Sequence, residues 1–186
     1  MEIAEALPLP PPRPTPYGIC HAALPLAPPA RGAIHAAKYR GCRRAMRLIA
    51  TVAAERLYPA LRQAPAPDVV VAVPLGHRRR RLRGFNQAEV AASAICAVCE
   101  LPPPCAGLRR VRDTRAQVGL TKSDRVNNLG SAFVWEGVPI RGATVWVVDD
   151  VLTTGATLEA AARALQQAGV SRIEAVAVAS CARRGG

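Results

Sequence analysis

The chain has 186 residues and a formal net charge of +12; half of its residues are hydrophobic, but only 4% are aromatic. This length suits one domain with a small appendage, and it buries enough surface to fold without disulfides or a structural metal. No apolar stretch reaches the ~20 residues of a membrane span, and the N-terminus shows neither a basic leader nor an apolar signal core, so the chain reads as cytoplasmic with its six cysteines reduced. The surplus of Lys and Arg suits phosphates, nucleic acid or an anionic surface, although a solubilising surface would look the same.

Residues 1–31 hold nine of the seventeen prolines. That density predicts a loosely ordered arm, with neither helix nor central strand. From residue 42, Met46, Ile49, Ala50, Ala53 and Leu57 recur at helical spacing, with Pro59 marking the end. "DVVVAVP" (68–74) is a β-branched run stopped by proline, hence a buried strand. The next stretch, "PLGHRRRRLRGFNQAE" (74–89), places a basic loop, His77–Arg83, at that strand's carboxyl edge. A helix is expected over 86–99, with Asn86 and Glu89 as a capping box and Ala91, Ala94, Ile95 and Val98 on one face. Cys96 and Cys99 form a CxxC inside that Ala-rich helix without a second pair, which predicts buried thiols. In 101–142, "CAGLRRV" and "SAFVW" are two short strand candidates around a long polar loop, a feature that is usually functional or mobile in an α/β domain. "ATVWVVDD" (143–150) is the clearest strand. A helix follows over 155–169, striped by Leu158, Ala161, Ala162 and Leu165 and stopped by Gly169, and "RIEAVAVAS" (172–180) is the last strand. Alternating strands and helices, with strands apolar on both faces, predict an α/β fold: a parallel sheet flanked by helices.

Two acids end the 143–150 strand, and "VLTTGAT" follows at once. Asp149 and Asp150 repel each other and build no strand, so a ligand must account for them. In open parallel sheets ligands lie beyond the carboxyl ends of strands. A Gly-containing turn into a helix presents unpaired N–H groups to an anion, most naturally a phosphate. Carboxylates suit the other half of such a ligand, since they accept from a sugar diol and can hold hydrated Mg²⁺. Neither G-x-x-x-x-G-K-[ST] nor G-x-G-x-x-G after a strand is present, which argues against a P-loop or a dinucleotide fold.

"VVDDVLTTGAT" resembles the 5-phosphoribosyl-1-pyrophosphate (PRPP) signature of type I phosphoribosyltransferases. Together with "RRLRGFNQAE", "DTRAQVGLTKSDRVNNLGSAF" and "AIHAAKYRG" (33–41), it resembles the ComF (GntX-like) family of amidophosphoribosyltransferase-like proteins associated with competence and DNA uptake. The resemblance spans about residues 30–182. It implies a type I phosphoribosyltransferase fold with a flexible flap over 32–186, and a Mg²⁺-dependent glycosyltransferase of the pentosyl type whose acceptor is unknown. Asp149 and Asp150 would bind the ribose hydroxyls, directly or through Mg²⁺. Thr153, Thr154, Gly155, Ala156 and Thr157 would wrap the 5′-phosphate, and Pro74, Leu75 and Arg83 would border the pyrophosphate. Arg115, Gln117, Lys122, Arg125 and Asn127 match the family's polar segment and would form the flap. Family members often carry an N-terminal zinc ribbon; only Cys20 stands in the first forty residues, so the ribbon is expected to be truncated or lost and no zinc is expected. The alternative is a non-catalytic PRPP-site scaffold or sensor. Expected partners are PRPP, single-stranded DNA or competence-machinery proteins, and a second copy of the chain, without membrane insertion.

Overall fold

The structure, a computed structural model, describes residues 8–111 and 132–181. Its elements in chain order are β1 (Arg13–Thr15), β2 (Gly18–Pro25), α1 (Ala30–Tyr39), α2 (Arg43–Leu61), β3 (Val69–Ala72), α3 (His77–Arg83), α4 (Gln87–Val98), β4 (Leu108–Arg110), β5 (Phe133–Trp135), β6 (Thr144–Leu152), α5 (Ala156–Gln167) and β7 (Arg172–Ser180). Five strands form one sheet in the order β1-β2-β7-β6-β3. All its neighbours pair in parallel except the β1–β2 hairpin. β4 and β5 make a separate antiparallel pair.

β6 shows why the sheet is covered twice. Val145 and Val147 point into a core shared with Leu158, Ala161 and Leu165 of α5 and Phe133 of β5. Trp146 and Val148 point into a second core built with Ile34 of α1, Met46 and Leu57 of α2 and Ile95 of α4. Side chains alternate across a strand, so an unbroken apolar run has to be buried on both faces. The α/β reading is confirmed. The two short strands expected around the polar loop are β4 and β5.

The N-terminal stretch departs from the expected arm. From Arg13 it enters the sheet, and β2 is an interior strand between β1 and β7. The prolines sit where strands tolerate them: Pro14 in edge strand β1, Pro16 in the turn and Pro25 as the last residue of β2. Composition averaged over 1–31 hid the proline-free "GICHAAL" between them. Gly18 lets β2 seat against β7, because it adopts φ +148° and a Cβ there would lie 1.8 Å from the Ile173 carbonyl oxygen.

Three further expectations change. The basic run forms helix α3 rather than a loop, since five Arg and a Leu are good helix formers and Gly84 stops them at φ +77°. α1 is a helix where the sequence pattern predicts none. α2 continues two residues past Pro59, where the buried Leu61 keeps the last turn packed. The expected flap, with Arg115, Gln117, Lys122, Arg125 and Asn127, lies outside the described residues. No helix among the described residues is long and apolar enough to cross a membrane.

Candidate functional site

The pairing of β6 decides where the acids go. On one side β6 stays paired with β7 to its end, through Val151↔Ala179 and Leu152↔Ser180. On the other side pairing with β3 stops at Ala72↔Val148, closed by the Val73 N–H donating to the Val148 carbonyl at 2.8 Å. Asp149 and Asp150 therefore lie inside β6, two residues before its end, but just past the point where its neighbour stops. The open edge faces a cavity of about 360 Å³.

This cavity collects residues from separate stretches of sequence. Asp149 and Asp150 come from β6, Thr153 from the turn after it, Thr157 from the first turn of α5, Pro74 and Leu75 from just past β3, and Arg83 from α3. Of the phosphate-wrapping set, Thr154 and Gly155 instead line a neighbouring cavity of about 390 Å³, beside Arg13, Tyr17 and Glu159, and Thr153 borders both. Ala156 begins α5, and its N–H donates to Thr154 Oγ1 at 3.4 Å. Gly155 is held at φ +89°, which turns the chain sharply into the helix.

Consecutive strand residues face opposite ways, so the two carboxylates have different surroundings. Asp150 points to the α1 side, where Lys38 Nζ lies 2.8 Å from its Oδ2. Asp149 accepts the Asp150 backbone N–H at 2.8 Å. Burial first, and then the Asp150 carboxylate, push the Asp149 carboxyl up to about 7; that backbone bond, Lys38 and Arg110 pull the other way.

Several lining residues were not singled out from sequence. Arg31, His35, Lys38 and Tyr39 come from α1, Arg79 from α3 and Arg110 from β4. Arg31, His35 and Lys38 stand at i, i+4 and i+7 on one face of α1, beside the buried Ile34, so helical periodicity over 30–39 could have found them. Nothing local marks Arg110. With Arg31, Lys38, Arg79, Arg83 and Arg110 around two acids, the cavity can hold a polyanion at one end and hydroxyl groups or a cation at the other.

Two other sequence features lie elsewhere. Cys96 is buried and its thiol is pushed up to about 11, and burial also raises Cys99; neither has the low-pKa surroundings of a reactive thiol. Among the described residues there is no group of three or more His, Cys, Asp or Glu side chains arranged for a metal ion.

Residues 109–185 match the phosphoribosyl transferase domain family. Competence protein F of Haemophilus influenzae is 35% identical over 131 residues, covering 65% of this chain and 56% of its own length. DNA utilization protein YhgH of Salmonella typhi is 36% identical over 110 residues, covering 59% of this chain and 48% of its own. The chain thus spans about half the length of the curated relatives it matches. A solved structure described as the allosteric regulatory enzyme of purine biosynthesis overlaps 72% of this chain and 25% of its own, at 19% identity and a TM-score of 0.45.

Proposed function

Since the chain belongs to the ComF family of proteins with a phosphoribosyltransferase domain, we propose that the cavity at the open edge of β6 binds PRPP with Mg²⁺ and supports transfer of the phosphoribosyl group to an amine or base. The observation that carries this reading is the meeting of the acid pair, Thr153 and Thr157, and Pro74, Leu75 and Arg83 in one cavity. Asp149 and Asp150 would accept from the ribose hydroxyls. Thr153 and Thr157, with the backbone of the turn, would hold the 5′-phosphate, and a phosphate oxygen would take the place Thr154 Oγ1 now has at the Ala156 N–H. Arg79 and Arg83 would neutralise the pyrophosphate as the C1–O bond breaks and its electron pair leaves with that group. The acceptor's nitrogen would then bond to C1 and release its surplus proton to solvent.

The acid pair fits Mg²⁺, which takes one or two carboxylates and fills its remaining positions with water and phosphate oxygens. Asp150 already draws a cation, the Lys38 ammonium, and a metal would compete for that place. Bound there, the ion would supply charge neutralisation to the leaving pyrophosphate.

A second reading rests on α3, whose Arg78 and Arg81 are exposed and do not line the cavity. They suit phosphates of single-stranded DNA, in which case the chain would be a PRPP-site scaffold or sensor in DNA uptake. Pyrophosphate release from PRPP and Mg²⁺ across a panel of bases and amines separates the two. Acceleration by one acceptor is expected of a transferase. PRPP binding without release under every acceptor favours the scaffold, and no PRPP binding at all removes both.

A further inference from the structure

Two consecutive amides lie at the start of α4, and both are 1% exposed. Buried amides are costly unless their polar atoms are used, so their partners show what they hold. Asn86 Oδ1 accepts the Ala88 N–H at 3.1 Å, which caps α4, and its Nδ2 donates to the Val73 carbonyl at 2.9 Å. Val73 leads directly into Pro74 and Leu75 of the cavity wall. Gln87 Oε1 accepts from Arg83 Nη1 at 3.0 Å, and its Nε2 donates to the Ala37 carbonyl at 3.3 Å. Ala37 is the residue before Lys38, which reaches Asp150.

Arg83 has a flexible stem, and a guanidinium keeps one orientation only when a fixed acceptor holds it. α1 is ten residues long, has no side-chain cap bond at its N-terminus, and packs against α2 and α3. A side chain anchored from α4 into its last turn fixes how far Lys38 stands from β6.

We propose that Asn86 and Gln87 are positioning residues that join the three walls of the cavity, setting Arg83 toward the pyrophosphate end and Lys38 toward Asp150. This rests on the PRPP reading for its ligand but not for its geometry. Gln87 is the more informative member, because its two ends serve two cations with opposite roles. Arg83 meets the anion, whereas Lys38 occupies the acid that the ligand or metal must reach.

Two measurements test it on the full chain. Gln87→Met keeps length and burial but removes both bonds, whereas Gln87→Glu keeps an acceptor for Arg83. Binding of inorganic pyrophosphate with Mg²⁺, read by calorimetry, is expected to weaken about tenfold in Gln87→Met and to recover in Gln87→Glu, the size expected for one oriented charge-assisted bond. In an Arg83→Gln background, Gln87→Met should add no further loss. Amide exchange at the end of α1, at Tyr39 and Arg40, should quicken about tenfold in Gln87→Met while β6 and β7 stay unchanged. Unchanged exchange in α1, or an equal and additive loss of pyrophosphate binding in the Arg83→Gln background, overturns the positioning role even if the wild-type chain binds pyrophosphate. Absence of pyrophosphate binding in the wild type overturns the ligand reading, and the exchange result alone then decides whether the brace exists.

Discussion

Asp149 and Asp150 are neighbours in sequence, but the pleat of β6 gives them different chemistry: one faces a lysine, and the other is held by burial above the usual carboxylate range. Replacing both by Asn is expected to abolish PRPP binding while keeping the fold, since each charge-assisted hydrogen bond lost costs on the order of 1.5–3 kcal/mol. Calorimetry giving unchanged affinity for the double variant would remove the diol assignment. The raised value also has a sign for stability. Between the ordinary 3.8 and about 7 the native chain keeps a proton that the unfolded chain has released, so this group subtracts stability as pH rises through that interval. Asp149→Asn should therefore gain stability relative to wild type as pH rises, as read from denaturant midpoints at the two ends of the interval. His21 works in the opposite direction. Burial is the larger influence and lowers it from 6.5, against the nearby Glu174, whose Oε2 lies 3.6 Å from His21 Nε2. The unfolded chain takes up that proton first, so stability should fall as pH drops below 6.5. His21→Gln should flatten that slope; a variant with the wild-type slope would assign the loss to other groups.

At the scale of elements, β2 and α3 show what local composition conceals. β2 is seated against β7 through Gly18, and Gly18→Ala should destabilise the chain by at least about 2–3 kcal/mol, because a Cβ would be driven into the Ile173 carbonyl. A change within about 0.5 kcal/mol in denaturant unfolding would show that β2 contributes little to the sheet. α3 divides its arginines by face. Arg79 and Arg83 line the cavity, Arg80 pairs with Glu89 at 2.8 Å, and Arg78 and Arg81 face outward. Arg79→Gln with Arg83→Gln should therefore weaken PRPP binding, and Arg78→Gln with Arg81→Gln should leave it intact. If the outward pair contacts single-stranded DNA, its loss should flatten the slope of log affinity against log salt by roughly 0.7 for each contact. An unchanged slope would leave a direct DNA role resting on net charge alone.

For the whole molecule, the α/β class, the doubly buried β6 and the acid–TTG turn are legible along the chain, because strand periodicity, a Gly at a turn and paired carboxylates are local signals. Composition was enough to predict an arm over 1–31, and it misled there: a sheet position depends on where the prolines fall against the ladder, not on how many there are. Long-range packing sets where β3 pairing ends, one residue short of Asp149 on one side while β7 continues on the other, and this is what opens the cavity. The same holds for Lys38 on Asp150, Arg110 in the lining and Gln87 between Arg83 and Ala37. The residues of these contacts stand from four to more than a hundred apart in the chain. Their meeting is set by how α1 and α4 pack on one face of the sheet and β4 and β5 on the other, and no local periodicity encodes that packing.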